Sequence, residues 1–447
     1  MSRLFGTDGV RGLANAELTV ELAVALGRAG ATVLARHAGR RPRLLLGRDT
    51  RRSGQLLEAA LAAGAMSVGA DVLRLGVATT PAVAYLVAAL DVQFGAVISA
   101  SHNPAPYNGI KFFSHDGFKL PDALEDEIEA LLPSSVDLSA RAAQDVGTSL
   151  DRGAELVRYV DFVSGLAGDL SGLRVVCDCA NGAASDLAPS ALRQAGAAVE
   201  AIAASPDGTN INAGCGSLHP ERLGRAVVET GAAAGFAFDG DADRLIATDE
   251  RGAVVDGDAL MAVLACDLLA RDALPGRTVV ATVMSNLGLE LCLKERGARL
   301  LRTRVGDRYV LEAMRDGGFT LGGEQSGHLI FLDHHTTGDG LTTAALLASL
   351  LCRTGRPLSE LASVLPRLPQ VLRNVRVARR DGLDASPAVA AAVAAAEAAL
   401  GERGRVLVRP SGTEPLVRVM VEGEDEAAVH QAADAITEAV AGALGVV

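Results

Sequence analysis

Asp239-Gly-Asp-Ala-Asp-Arg244 sets three carboxylates at alternate positions directly after an apolar run. Hard oxygen ligands crowded this closely repel one another unless a divalent cation neutralises them. A calcium loop of the EF-hand type is the rival, because Asp239, Asp241 and Asp243 fall at its first, third and fifth positions and Glu250 at its twelfth. It fails on context: Arg244 stands where that loop requires glycine, and a strand rather than a helix precedes it. The bland alternative is a solvated acidic turn, which the apolar strand ahead of it disfavours. Three carboxylates leave coordination positions open, which suits Mg2+ bridging to a phosphate oxygen.

Ser99-Ala-Ser-His-Asn-Pro104 follows another apolar strand and leads to Asn108-Gly-Ile-Lys111. Pro104 and Gly109 interrupt regular structure, which holds Ser101 on an exposed turn beside His102, with Lys111 a little further on. Adjacent serine and histidine do not define a hydrolytic triad, and alone the loop reads equally well as a polar turn. Next to a carboxylate metal site, however, a phosphorylated Ser101 would supply the missing anionic ligand. Arg409-Pro-Ser-Gly-Thr-Glu-Pro415, with Arg418 following, combines guanidinium forks, two hydroxyls and a glycine, the parts of a phosphate cradle. Gly322-Gly-Glu-Gln-Ser-Gly-His328 gathers a carboxylate, an amide, a hydroxyl and an imidazole in one turn, a dense hydrogen-bonding set for a polyol.

Apolar runs of strand length alternate with Ala/Leu-rich helical stretches, the pattern of an α/β protein whose ligand loops leave the carboxyl ends of strands. Runs 43–47, 94–98, 173–177 and 235–238 are read as strands ending in unusual loops. The last eighty or so residues differ: 371–378, 406–409 and 416–421 read as half-exposed strands, with helices over 386–400 and 424–444, a smaller α+β domain. A chain of 447 residues predicts about three domains. Boundaries fall near 155, 253 and 367, and a weak recurrence of strand, glycine turn and helix hints at related domains.

The most apolar charge-free stretches, 75–90 and 340–352, are shorter than the roughly 20 residues of a membrane span. No apolar leader precedes Leu4, so a soluble, cytoplasmic protein is expected. Six cysteines without a C-x-x-C pair read as reduced and mostly buried. The formal charge of −12 argues against nucleic-acid binding, so any phosphate must be held locally. Only Lys111, Lys119 and Lys294 are lysines, and the first two lie just beyond the serine loop.

Together, and in this order, these four loops resemble those of the α-D-phosphohexomutase superfamily. The resemblance implies four domains rather than three: 1–155 carrying the serine loop, 156–253 the metal loop, 254–367 the sugar loop and 368–447 the phosphate loop. The first three would be similar α/β domains with mixed sheets, the fourth a smaller α+β domain, around a central cleft. Phe5-Gly-Thr-Asp-Gly-Val-Arg-Gly12, the Ser99-led serine loop, Gln325, Asp178-Cys-Ala-Asn-Gly-Ala183 and Pro206-Asp-Gly-Thr-Asn-Ile-Asn212 are similar to the amino-sugar branch of the superfamily. One stretch departs from it: Ala105-Pro-Tyr107 stands where that branch commonly has an aromatic pair and an aspartate, and Tyr107-Asn-Gly is like the phosphomannomutase/phosphoglucomutase branch, which is the alternative.

The implied activity interconverts glucosamine 6-phosphate and glucosamine 1-phosphate, an early step toward bacterial cell-wall precursors, through a phosphoserine at Ser101 and a sugar 1,6-bisphosphate. Ser101, Asp239, Asp241 and Asp243 would bind Mg2+. Arg244, His102 and Lys111 are the candidate cations, and Lys111 and His328 the candidate proton carriers. Glu324 and Ser326 would meet sugar hydroxyls, with Gly306, Asp307 and Arg308 beside them. Thr7 and Arg11 would border the serine loop, and Arg409, Ser411, Gly412, Thr413 and Arg418 would hold the non-reacting phosphate. The resemblance also suggests a homodimer.

Overall fold

The computed structural model describes residues 3–6, 8–38, 41–139, 141–379, 382–383, 385–411 and 415–445. Thr7, Gly412 and Thr413 lie outside the described residues. The chain divides into two compact units, one formed by 1–283 with 301–363 and the other by 284–300 with 364–447.

Three sheets make up the larger unit, and all are mixed. In the first, Ser149–Asp151, Asp71–Val77, Arg43–Arg48 and Phe94–Ile98 run parallel, and Tyr107–Ser114 and Val10–Leu13 follow antiparallel. Period-two alternation sends neighbouring residues to opposite faces. Leu44, Leu46, Ala96, Ile98 and Phe112 pack with the helices Val20–Ala38 and Arg52–Ser67. Leu45, Val97 and Phe113 pack with Thr80–Ala89 instead. Both faces are therefore dry, which is why the strands read as continuous apolar runs.

The second sheet repeats the plan: Ala198–Ile202, Arg174–Asp178 and Ala234–Phe238 are parallel, then Leu245–Asp249 turns back antiparallel and Val254–Val255 ends the order. In the third, Thr278–Thr282 pairs parallel with Leu321–Gly323, which pairs antiparallel with Leu329–Phe331. In each sheet the direction first reverses immediately after the last strand of the parallel run. The connections at that change are Ser99–Pro106, Asp239–Arg244 and Glu324–His328, the three loops singled out above for chemistry.

The smaller unit is α+β. Gln370–Arg376, Leu416–Glu422 and Arg405–Pro410 form an antiparallel sheet that shares a core with Pro387–Leu400 and Glu426–Leu444. Ser386 and Asp425 cap those helices, accepting from Val389 N and from Ala427 and Ala428 N. Among the described residues no helix is long and apolar enough to cross a membrane. All six cysteines are free thiols, four of them buried.

In a chain with only 3% aromatic residues, one aromatic node joins elements of all three sheets' domains. His335 lies 6.3–6.5 Å, centroid to centroid, from Tyr85, Tyr159 and Phe162. Its Nε2–H donates to Pro81 O at 3.0 Å, and Thr337 N–H donates to its Nδ1 at 3.3 Å, so the ring is held neutral. Burial pushes its pKa below the ordinary value, with the Asp339 carboxylate opposing. Below pH about 6.5 the unfolded chain therefore takes up a proton that the folded one refuses, and stability falls on acidification until the folded pKa is reached. A His335→Gln variant is expected to lose that contribution, at most about 1.4 kcal/mol per pH unit, from the acid limb of a urea-melt stability profile; an unchanged limb would show that His335 is not its source.

Candidate active site

Ser101, His102, the three aspartates, Arg244, Glu324, Ser326 and His328 hang on the three reversal loops, and Lys111 on the strand that follows the first. Ser101 is buried, with φ +52°. Four hydrogen bonds hold it: its N donates to Ser99 Oγ (2.9 Å), its carbonyl accepts from Arg51 (3.0 Å) and Asn212 (2.9 Å), and its Oγ donates to Asp239 Oδ2 (2.6 Å). A non-glycine residue at positive φ is strained, and the surrounding bonds over-determine the conformation. Gly240 makes the approach possible, since a Cβ there would lie 2.6 Å from Ser101 O.

The carboxylates of Asp239, Asp241 and Asp243 are buried, with ligand oxygens within 4.8 Å of one another, and form the one such cluster among the described residues. Burial, then Asp243 and Asp241, pushes the Asp239 carboxyl well above the usual range. Burial works the same way on Asp243, but Lys111 and His328 outweigh it and hold that carboxyl low. Asp241 Oδ1 and Asp243 Oδ1 have no hydrogen-bond partner, so one oxygen on each is left for a cation. A set of hard oxygens, two of them orphaned and one bonded to the Ser101 hydroxyl, fits a divalent metal with an open position toward Ser101.

The remaining charges close a ring around this cluster. Lys111 Nζ lies 2.9 Å from both Asp241 and Asp8 and 3.8 Å from Asp243. Asp8 reaches Lys119 at 2.6 Å, and Lys119 pairs closely with Asp307. His328 completes the circuit, 3.5 Å from Asp307 and 3.6 Å from Asp243. Burial disfavours charge on Lys111, yet Asp241, Asp8 and Asp243 together raise its pKa, so it stays an ammonium. His328 behaves alike: burial lowers its pKa, and Asp243 and Asp307 raise it further. His102 is the opposite case, pushed down to about 4 by burial, Arg244 and Arg11. Its Nδ1 accepts from Arg244 at 3.1 Å and lies 3.3 Å from Ser101 Oγ.

The sugar loop spans Leu321–Gly323 and Leu329–Phe331, with Gly306 N donating to Glu324 Oε1 at 3.2 Å and Ser326 3.5 Å from the same carboxylate. Gly338 must lack a side chain, because a Cβ there would lie 2.3 Å from His328 Nε2. Asp307 begins the helix Asp307–Gly317 and is spent on Lys119, while Arg308 pairs with Asp122 and with Glu125 (3.1 Å). Arg11 pairs with Asp8. In the smaller unit, Arg409 and Arg418 are direct cross-strand partners. Burial and then Arg418 lower the pKa of Arg409. Like charges opposite one another are unfavourable in a sheet, and Ser411, 5% exposed, follows the same strand.

Sequence reading did not assign Asp8, Asp49, Arg51, Thr80, Lys119 or Asn212. Thr80 donates from both N and Oγ1 to Asp241, at 3.0 and 2.6 Å. Asp8 lies inside the Phe5–Gly12 motif, and Lys119 was marked by the scarcity of lysine, the only signals either offered.

Comparison with known proteins covers nearly all of the chain. The Phosphoglucomutase/phosphomannomutase alpha/beta/alpha domains I, II and III match residues 2–136, 157–252 and 256–368, and the C-terminal domain matches 372–439. A phosphoglucosamine mutase of Symbiobacterium thermophilum is 56% identical over 442 residues, 98% of this chain and 99% of that protein. Another, from Moorella thermoacetica, is 57% identical over 430 residues, 95% and 96% of the two chains. A solved phosphoglucomutase/phosphomannomutase family protein of Burkholderia thailandensis superposes with a TM-score of 0.83 at 26% identity, covering 99% of this chain and 98% of that one.

A cation that relieves the repulsion among three buried carboxylates binds the folded state alone, so Mg2+ at 100 times its Kd is expected to add about 2.7 kcal/mol of stability. Thermal melts with Mg2+ and with chelator should differ accordingly, and Asp241→Asn should lose most of the difference; an equal Mg2+ shift in that variant would place the ion elsewhere.

Proposed function

We propose that this chain, which belongs to the phosphoglucomutase/phosphomannomutase family, interconverts glucosamine 6-phosphate and glucosamine 1-phosphate through a phosphorylated Ser101 and a sugar 1,6-bisphosphate. The observation that carries the chemistry is Ser101 Oγ, 2.6 Å from Asp239 at the open side of the aspartate cluster. The amino sugar rests on the 56–57% identity to phosphoglucosamine mutases.

In the first half-reaction the hydroxyl at O1 of glucosamine 6-phosphate attacks the phosphoryl group on Ser101. The bond from phosphorus to Oγ breaks, a bond from phosphorus to O1 forms, and the O1 proton leaves. The bisphosphate reorients, Ser101 Oγ attacks the phosphoryl group at O6, the bond from phosphorus to O6 breaks as the bond to Oγ forms, and O6 takes a proton. Asp239, Asp241, Asp243 and Ser101 would hold the Mg2+, which would supply neutralising charge to the phosphoryl group. Lys111 and Arg244 add fixed positive charge there, preorganised by their buried carboxylates, which is where most of the barrier reduction in such transfers originates.

Lys111 is held charged by its aspartates and therefore acts as a cation rather than a base. His328 is also stabilised as a cation by Asp243 and Asp307, but an imidazole ordinarily titrates about four units below a lysine, so we assign it the exchange of the sugar hydroxyl proton through Nε2, which makes no hydrogen bond. Glu324 and Ser326 take sugar hydroxyls, with Gly306 orienting Glu324. Asp307 and Arg308 act one step back, aligning Lys119 and the acidic helix Asp122–Leu131 rather than touching sugar. Arg409, Ser411 and Arg418 receive the phosphate that is not reacting, together with Gly412 and Thr413 of the same motif. The working enzyme is taken to be cytoplasmic and homodimeric.

Steady-state assays on glucosamine, glucose and mannose 6-phosphates are expected to give the highest kcat/KM for glucosamine 6-phosphate; a higher value for either neutral sugar would overturn the amino-sugar assignment. Ser101→Ala should abolish phosphoenzyme in intact-mass spectra and lower kcat by at least about 10⁴-fold.

A further inference from the structure

Two motifs have so far no task in the reaction: Asp178–Ala183 and Pro206–Asn212. Both lie in the metal-loop domain, and both face the serine loop's domain. Thr50 Oγ1 donates to Asn181 O at 2.6 Å, Arg52 N to Gly208 O at 2.8 Å, and Asn181 Nδ2 to Asn210 O at 3.3 Å. Asp207 Oδ1 accepts from Thr209 N, Thr209 Oγ1 and Asn210 N, which fixes the turn that leads to Asn212. Asn212 itself has φ +58°, and its N donates to Ala180 O at 2.9 Å. Its single amide group then spans the domain boundary, Nδ2 donating to Ser101 O at 2.9 Å and to Asn103 O at 3.0 Å.

From the serine side, Arg51 reaches the same two carbonyls and Pro104 O, at 3.0, 2.7 and 2.6 Å. Arg51 is fully buried and paired with Asp49 at 2.8 Å, and Asp49 also accepts from the Ser99 hydroxyl. The two clamps are not equivalent. Arg51 holds the loop to its own sheet, whereas Asn212 ties it through Ala180 to the Asp178–Ala183 turn, whose Ala183 N in turn donates to Gly240 O, between Asp239 and Asp241, at 2.8 Å.

We propose that Asn212 is a positioning residue for phosphoryl transfer: its amide fixes the height of the Ser101 backbone above the aspartate cluster and so the distance from Oγ to the metal ligands. The inference rests on the phosphoserine mechanism above. In-line transfer is sensitive to such placement, a displacement of about 1 Å costing roughly 10²-fold in rate. Substrate contacts would be untouched, so the loss should appear in kcat and not in KM.

Two substitutions separate this from a packing role. Asn212→Gly tolerates the positive φ and removes only the amide. Asn212→Asp keeps size and backbone preference but turns an oxygen toward two carbonyl oxygens. Each is purified beside the wild type and measured for kcat and KM with glucosamine 6-phosphate, for melting temperature, and for phosphoserine content by intact mass. The expected result is a kcat lowered about 10-fold in Asn212→Gly and about 100-fold in Asn212→Asp, with KM within about twofold and both variants folded. Wild-type kcat in Asn212→Asp overturns the proposal. So does a kcat loss that merely tracks a collapse in melting temperature in both variants. If the wild type turns over no glucosamine phosphate, the parent reading fails first and this one with it; if it does and only the variants behave like wild type, the positioning role alone is wrong.

Discussion

Three carboxylates within 4.8 Å, all buried, are an electrostatic liability that the rest of the larger unit is arranged to contain. Each would protonate rather than stay charged if left alone in a low-dielectric interior. The solution is alternation. Asp243, Lys111, Asp8, Lys119, Asp307 and His328 form a closed circuit in which every charge meets opposite ones at 3.8 Å or less. Breaking a buried pair by deleting one partner strands the other, which is far costlier than the pair is stabilising. The circuit is better understood as holding geometry than as supplying stability: it keeps Lys111 charged and fixed beside the place where phosphate charge must be received.

The fold delivers the parts of this circuit through one repeated topological event. In each of three sheets a parallel run ends and the next strand turns back antiparallel, and the turn between them carries the serine, the aspartates or the sugar-loop glutamate and histidine. A reversal at the carboxyl end of a parallel strand leaves backbone groups and short side chains outside the layered core, where ligands bind in α/β sheets. Lys111 lies on the returning strand itself, directly paired with Val97 across the register. The positions of the serine loop and its lysine are therefore set by strand pairing, with no free hinge between them.

That division explains what was legible in the amino-acid sequence. The loops could be recognised because their chemistry is local: three aspartates in five residues, or a serine, histidine and proline in six, carry a meaning that survives without a fold. The strands were legible because burial on both faces makes continuous apolar runs, and the ends moved by only a residue or two, as from 235–238 to Ala234–Phe238. Asp8, Thr80 and Asn212 were not assigned because their partners lie 103, 161 and 111 residues away, and no periodicity or propensity encodes a contact at that separation. Asp307 and Arg308 were expected beside sugar hydroxyls from the family resemblance alone. In the fold their charges are already answered by Lys119 and by Asp122 and Glu125.

The scarcity of lysine has a physical reading at two positions. Lys111 and Lys119 are two of three lysines in a chain whose other cations are arginine, and both bridge carboxylates from separate segments: Asp8 with Asp241, and Asp8 with Asp307. An ammonium is a compact point charge with three donors that can face partners in different directions. A guanidinium is a planar fork suited to one carboxylate in its own plane. Arginine does serve where a planar fork fits, as in the Asp49–Arg51 pair that reaches three loop carbonyls at once. At Lys111 and Lys119 the partners are carboxylates from different segments, which a compact ammonium can face at once.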